Sequence, residues 1–243
     1  LIAAGILIKF AGVQITSMHG FLGIYEIPHY ASIALSLFTI IVITNSFNLI
    51  DGIDGLAGSL GLLTTFLFGA YFYYIGHIEY AVIAFALTGS LISFLIYNFS
   101  PAKIFMGDTG SLLLGLINSV LVIKFINLSN VPGSSLPLAA SPAIGIAILM
   151  IPIFDTLREF GLRLVDGRSP FSPDRTHVHH FLLDIGFSHR RITLLCVGLN
   201  IIFIAIAVGL RNLGTTSVIG ILLVTGLLFI GIIYYLRQKN KAV

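Results

Sequence analysis

The chain has 243 residues, 57% of them hydrophobic and 9% charged, with 13 Lys and Arg against 10 Asp and Glu; an ordinary soluble domain carries roughly 25% charged residues. With a mean hydropathy of +1.03, this excludes a soluble globule, a disordered tail and a coiled coil, all of which need more charge or polarity. A net charge of +3 is explained better by the topogenic bias of a membrane protein than by nucleic-acid binding, and the single Cys196 leaves no disulfide or cysteine metal site.

At roughly 20 apolar residues per span, the chain has room for about eight spans. The apolar runs are Leu1 to Ile15, Tyr30 to Ser46, Leu56 to Ile75, Tyr80 to Tyr97, Ser111 to Leu128, Ala139 to Phe154, Ile192 to Leu210 and Thr216 to Leu236. All read as helices, because strands crossing a bilayer alternate apolar and polar residues. The first run is short and carries Lys9 and Gln14. It opens at Leu1 with no initiator Met, charged n-region or cleavage site, which reads as a missing N-terminal part rather than a signal peptide. The predicted fold is therefore all-α: one polytopic membrane helix bundle over residues 1–243, with a cytoplasmic loop near 158–191.

One set of connections, Met18 to Pro28, Gly76 to Glu79, Ser129 to Pro137 and Arg211 to Thr215, contains only Arg211 as a basic residue. The opposite set holds Lys103, Arg158, Arg163, Arg168, Arg175, Arg190, Arg191, Arg237, Lys239 and Lys241. The excess of Lys and Arg makes that second side cytoplasmic.

Three polar clusters fall on that side. In the first, Asn45, Asn48, Asp51 and Asp54 recur every three residues; on a helix each such step turns a side chain by about 60°, so the series forms one slanting polar stripe. The plain alternative is a turn at the end of a span, signalled by two Asp-Gly pairs. Against it, each carboxylate near hydrocarbon costs on the order of 2 to 3 kcal/mol unless used or paired.

The second cluster runs from Asn98 through Pro101, Phe105, Gly107, Asp108 and Gly110 to Ser111. Its glycines admit a ligand close to the backbone, Asp108 is a hard oxygen donor suited to Mg²⁺ on phosphates, and Phe105 offers a face to a planar base. The structural alternative is a Pro-broken loop with Asp108 or Thr109 capping the next helix.

The third cluster holds Arg168, Asp174, Arg175, His177, His179 and His180. On a helix His177 and His180 share a face and His179 points away. The histidine spacing matches neither a zincin helix nor a zinc finger. Interfacial histidines are one reading; phosphate or sugar contact with proton transfer by His, and Arg168 and Arg175 as anion ligands, is the other. Asp155 lies near the inner end of its run with Arg158 three residues on, and both a local ion pair and a substrate contact fit it. Lys9, Lys124, His19, His29 and His77 are assigned no role.

Carboxylates, glycine loops and basic groups on one face of an apolar bundle suit phosphoryl transfer between a water-soluble activated donor and a lipid acceptor. A secondary transporter would place its charges near mid-membrane with repeat symmetry. A CDP-alcohol phosphotransferase would need an Ala-Arg after the first Asp-Gly and two further spaced aspartates, which are missing here.

At these residues the sequence resembles the polyprenyl-phosphate N-acetylhexosamine-1-phosphate transferases, the superfamily of phospho-MurNAc-pentapeptide translocase and undecaprenyl-phosphate GlcNAc-1-phosphate transferase. The matching stretches are Asn45-x-x-Asn48-x-x-Asp51-Gly-x-Asp54-Gly-Leu-Ala, Asn98-x-x-Pro-Ala-x-x-Phe105-Met-Gly107-Asp108-x-Gly-Ser111 and Asp174-Arg175-x-His177-x-His179-His180. The interrupted histidines place it nearer the GlcNAc-1-phosphate branch; phospho-MurNAc-pentapeptide transfer is the alternative.

The resemblance implies a multi-pass enzyme of the bacterial inner membrane, its active site facing the cytoplasm. It would move GlcNAc 1-phosphate from a UDP-sugar to undecaprenyl phosphate, release UMP and so start a cell-envelope polysaccharide. Asp108 would hold Mg²⁺, with Mn²⁺ as the alternative, and Phe105 would stack on uracil. Asp51, Asp54, His177, His179 and His180 are the implied catalytic residues, and Asn45, Asn48, Asn98, Gly107, Ser111, Arg168 and Arg175 the implied substrate-binding ones. A homodimer stays open. The family's Asp-Asp motif is not found in this sequence, nor are about three spans that precede it in relatives, so the chain by itself is expected to be impaired or inactive. A catalytically dead scaffold stays open for the same reason.

Overall fold

The computed structural model describes residues 1–129, 135–167, 169 and 177–241. Its helices are α1 (Ile2–Ala11), α2 (His29–Ile50), α3 (Leu56–Tyr74), α4 (Ile78–Asn98), α5 (Gly107–Leu128), α6 (Ser141–Ile148), α7 (Met150–Val165), α8 (Val178–Asp184), α9 (His189–Gly209) and α10 (Thr215–Lys241). Six of them, α2 to α5, α9 and α10, are long and apolar enough to cross a membrane, while α1 is a shorter apolar helix. The chain is thus an all-α membrane bundle, with two departures from the expected eight spans.

The first departure is a hairpin. Residues after α1 form the antiparallel strands β1 (Ser17–Phe21) and β2 (Ile24–Glu26). It sits at the end of the bundle away from the polar clusters, where Thr215 Oγ1 donates to the His19 carbonyl at 2.7 Å and the Leu22 amide donates to Thr216 Oγ1 at 2.7 Å.

The second departure is a break inside the run Ala139 to Phe154, which forms α6 and α7 rather than one span. Proline has no amide hydrogen, so Pro152 leaves the carbonyl of Ile148 without its helical donor. The buried Asn200 of α9 fills the gap: its Nδ2 donates to the Ile148 carbonyl at 2.8 Å, and its Oδ1 accepts the Ile151 amide at 3.1 Å. Irregular backbone at membrane depth is tolerated where protein satisfies its polar groups in this way.

Lipid is as apolar as the helices themselves, so close packing rather than water exclusion holds such a bundle together. Helices α2 and α5 approach backbone to backbone, where a Cβ on Gly115 would lie 2.6 Å from Thr44 Cα. Helices α3 and α4 are bridged by the buried hydroxyls of Thr65 and Thr88 at 2.9 Å. Phe47, Phe68, Phe72, Phe125 and Leu149 are fully buried at the centre.

Candidate functional site

Helix α2 ends at Ile50, and residues 51–55 form a turn closed by Gly55 in the left-handed region at φ 75°. The expected polar stripe therefore does not continue as helix through Asp51 and Asp54; the Asp-Gly pairs do make a turn. Asn48, still on the last turn of α2, donates through Nδ2 to Asp108 Oδ1 at 3.1 Å and to Ser111 Oγ at 3.0 Å. This joins the end of α2 to the start of α5. Asp108 stands in the first turn of α5, after Gly107 at φ 65°, and makes no capping bond, since the helix begins from Met106 without a side-chain cap.

The half-buried Asp51 faces the same cluster. Burial, and then the negative charge of Asp108, raise its carboxyl to about 6. Two carboxyl groups that feel each other's charge, one of them pushed towards its neutral form, are a donor set that a cation would relieve. Among the described residues no three His, Cys, Asp or Glu side chains group as a metal cluster.

Asp54 and Asn98 build the walls. Asp54 Oδ2 accepts the Ala102 amide at 3.2 Å, its Oδ1 lies 3.3 Å from His189 Nδ1, and its carbonyl accepts Thr193 Oγ1 at 3.0 Å. The buried Asn98 accepts the Gly55 amide at 2.9 Å and donates to the Ile104 carbonyl at 2.8 Å. The turn after α2, the loop after α4 and the start of α9 are thereby fastened together. Phe105, 79% exposed, projects from the loop before α5.

Asn45 is not brought to this cluster. Its Nδ2 donates to the Ile41 carbonyl of its own helix at 2.8 Å, and it lines a lateral cleft with Leu1, Ala4, Ile40, Leu112 and Leu116.

The histidines are arranged differently from the helical expectation. His177 precedes α8 in extended conformation, so the shared face of His177 and His180 does not form. Instead the rings of His177 and His179 stack, 4° from parallel with centroids 5.6 Å apart, and His180 lies 4.3 Å from His179. His179 is 3% exposed, and its Nε2 is 3.2 Å from where a Cβ on Gly52 would stand. Burial lowers its pKa to about 4, outweighing the attraction of Asp155. On its other side α8 is held by α10, with Arg237 paired to Asp184 at 2.6 Å and stacked 4.3 Å over Phe181. Arg168, Asp174 and Arg175 lie outside the described residues.

Two site residues, His189 and Gly52, were not singled out by the sequence, while Asp155 was open to both a local ion pair and a substrate contact. Asp155 does pair with Arg158, at 3.2 Å, but its other oxygen meets His177 Nδ1 at 2.9 Å. His189 was passed over although it opens α9 directly after the capping Ser188, a start signal that marks it as lying at the site end. Gly52 could be read only as a turn residue, because what crowds it comes from α8.

The profile of glycosyl transferase family 4 matches residues 1–126. The decaprenyl-phosphate N-acetylglucosaminephosphotransferase of Mycobacterium leprae is 39% identical over 188 residues, covering 72% of this chain and 47% of that protein. The undecaprenyl-phosphate alpha-N-acetylglucosaminyl 1-phosphate transferase of Escherichia coli is 34% identical over 161 residues, covering 65% of this chain and 42% of that protein. The chain thus spans just under half the length of these relatives. With over half its length matched by the profile and the described residues of the three motif regions gathered at one end of the bundle, the chain belongs to glycosyl transferase family 4.

Proposed function

We propose that this chain carries the catalytic face of a transferase that moves N-acetylglucosamine 1-phosphate from UDP-GlcNAc to undecaprenyl phosphate. The observation that carries the reading is the meeting of Asn48, Asp51, Asp108 and Ser111 at the same end of a membrane bundle as the His177 to His180 segment. The names of the relatives supply the donor sugar and the polyprenyl phosphate. Lys103, Arg158, Arg163, Arg190, Arg191 and Arg237 on the site's side favour a cytoplasmic orientation in a bacterial inner membrane.

In the net reaction an oxygen of the lipid phosphate becomes bonded to the sugar-bearing phosphorus. The bridging P–O bond breaks, and UMP leaves with its electron pair. Asp108, with the Asp51 carboxyl beside it, would hold Mg²⁺, which when bound supplies neutralisation of phosphate charge. Asn48 fixes the Asp108 carboxylate from behind, and Phe105 offers its exposed ring to the base. The histidine segment would meet the sugar phosphates, and the apolar helices keep the polyprenyl chain in the bilayer. The test is extraction of a GlcNAc-pyrophosphoryl lipid from the full-length protein given UDP-GlcNAc and undecaprenyl phosphate. Product formed with another UDP-sugar but not with UDP-GlcNAc would overturn the sugar assignment; no product with any donor would overturn the reaction.

A further inference from the structure

We propose that Asp155 is a positioning residue that fixes His177 with its proton on Nδ1 and, through the stack of His177 on His179, seats the histidine segment against Gly52 of the acidic turn. The inference deepens the transferase reading and rests on it for its kinetic test alone.

Asp155 is 6% exposed and lies on α7, outside the six spans. Burial by itself would raise its carboxyl. The hydrogen bond from His177, the Arg158 guanidinium and the Val178 amide together hold it below the ordinary carboxylate range. Asp155 is therefore ionised, and an ionised carboxylate only accepts. With Oδ2 at 2.9 Å from His177 Nδ1, the proton must sit on Nδ1, which leaves Nε2 as the ring nitrogen available to a ligand or a proton. The other oxygen accepts the Val178 amide at 3.0 Å, so one carboxylate sets both the ring and the backbone where α8 begins. Along α7 the charges of Asp155 and Glu159 are matched by Arg158 and Arg163, with Arg158 bonded to both acids and Arg163 3.9 Å from Glu159.

The second link is steric. Nδ1 of His179 is buried without a hydrogen-bond partner among the described residues, so no such bond orients that nitrogen's side of the ring. Its plane follows the His177 ring, and its opposite edge meets Gly52, where a Cβ would stand 3.2 Å from Nε2. Turning His177 therefore moves His179 against the turn that carries Asp51. An aspartate two residues before the first histidine of a motif would be an ordinary local contact; this one lies 22 residues away and reaches the segment from a different helix.

The test uses the protein in detergent or nanodiscs with ¹⁵N-labelled histidine. The expected result is a His177 ring in the Nδ1–H tautomer, lost in Asp155→Asn. With UDP-GlcNAc and the lipid phosphate, Asp155→Asn should lower kcat by at least about tenfold with little change in KM, and adding His177→Gln should cost little more. Gly52→Ala should lower kcat while leaving the His177 tautomer intact. The proposal is overturned by an Nε2–H tautomer in the unsubstituted protein, which can be read even if the Asp155 variant fails to fold. A tautomer unchanged in Asp155→Asn, or additive losses in the double variant, would also overturn it. The tautomer result found in a protein that turns over no UDP-sugar would support the positioning and refute the transferase reading instead.

Discussion

Gly115 of α5 meets Thr44 of α2 so closely that a Cβ would stand 2.6 Å from the Thr44 Cα. That contact lies one helical turn from the bond that Asn48 makes to Ser111 at 3.0 Å. The position of Asp108 relative to the end of α2 is thus set by a backbone-to-backbone crossing that admits no side chain.

Gly115→Ala should therefore act on both stability and activity. The methyl meets backbone, which cannot rotate away, so the helices must separate, at a cost of about 1 to 3 kcal/mol. Asn48 would then lose its reach to Asp108. A lowered thermal midpoint with reduced turnover in the folded fraction is expected; unchanged values for both would contradict the crossing.

Asn200→Leu should destabilise the protein without touching the site. It strips the Ile148 carbonyl and the Ile151 amide of their partner, and each buried polar group left unmet costs roughly 1 to 3 kcal/mol. Asn200→Asp keeps an acceptor for the amide but brings a buried charge, so it should not rescue. Thermal unfolding in detergent measures this.

Stability should fall between about pH 6.5 and pH 4 through His179. Its folded pKa is about 4, while an unfolded histidine titrates near 6.5. In that window the unfolded chain binds more protons, so stability is present above 6.5 and lost as pH falls towards 4. The size is on the order of a few kcal/mol. Asp155, held below the ordinary carboxylate range, loses its contribution only at still lower pH. His179→Gln should flatten the slope in the upper window, read as the unfolding midpoint against pH.

Phe105→Ala should raise KM for the UDP-sugar by roughly tenfold, as expected for loss of about 1 to 2 kcal/mol of stacking, and leave KM for the lipid phosphate unchanged. The ring is 79% exposed and free to meet a base. Equal changes for both substrates would remove it from the nucleotide side.

The helices were legible because an apolar run has few other fates in a bilayer: the run Leu56 to Ile75 became α3 over Leu56–Tyr74 almost to the residue. The break before α7 was not, since it depends on Asn200 reaching across from another helix. The hairpin at Ser17–Glu26 lacks strand alternation and is held by α10, and neither fact is local. Within the site, Asn48 of the first motif meets Asp108 and Ser111 of the second. Asn45 does not: it lies a turn deeper in α2 with its amide donated to the Ile41 carbonyl, and the spacing of three that aligned it with Asp51 and Asp54 ends with the helix at Ile50. The histidines do not follow the helical face, because the chain is extended at His177 and bound to Asp155.

The most direct measurement is UMP release against Mg²⁺ concentration for the protein and its Asp108→Asn variant, with UDP-GlcNAc and undecaprenyl phosphate. The account predicts Mg²⁺-dependent release in the unsubstituted protein and none above background in a folded Asp108→Asn. Equal release in the two, at any Mg²⁺ concentration, would contradict the placement of the phosphate-handling site between α2 and α5.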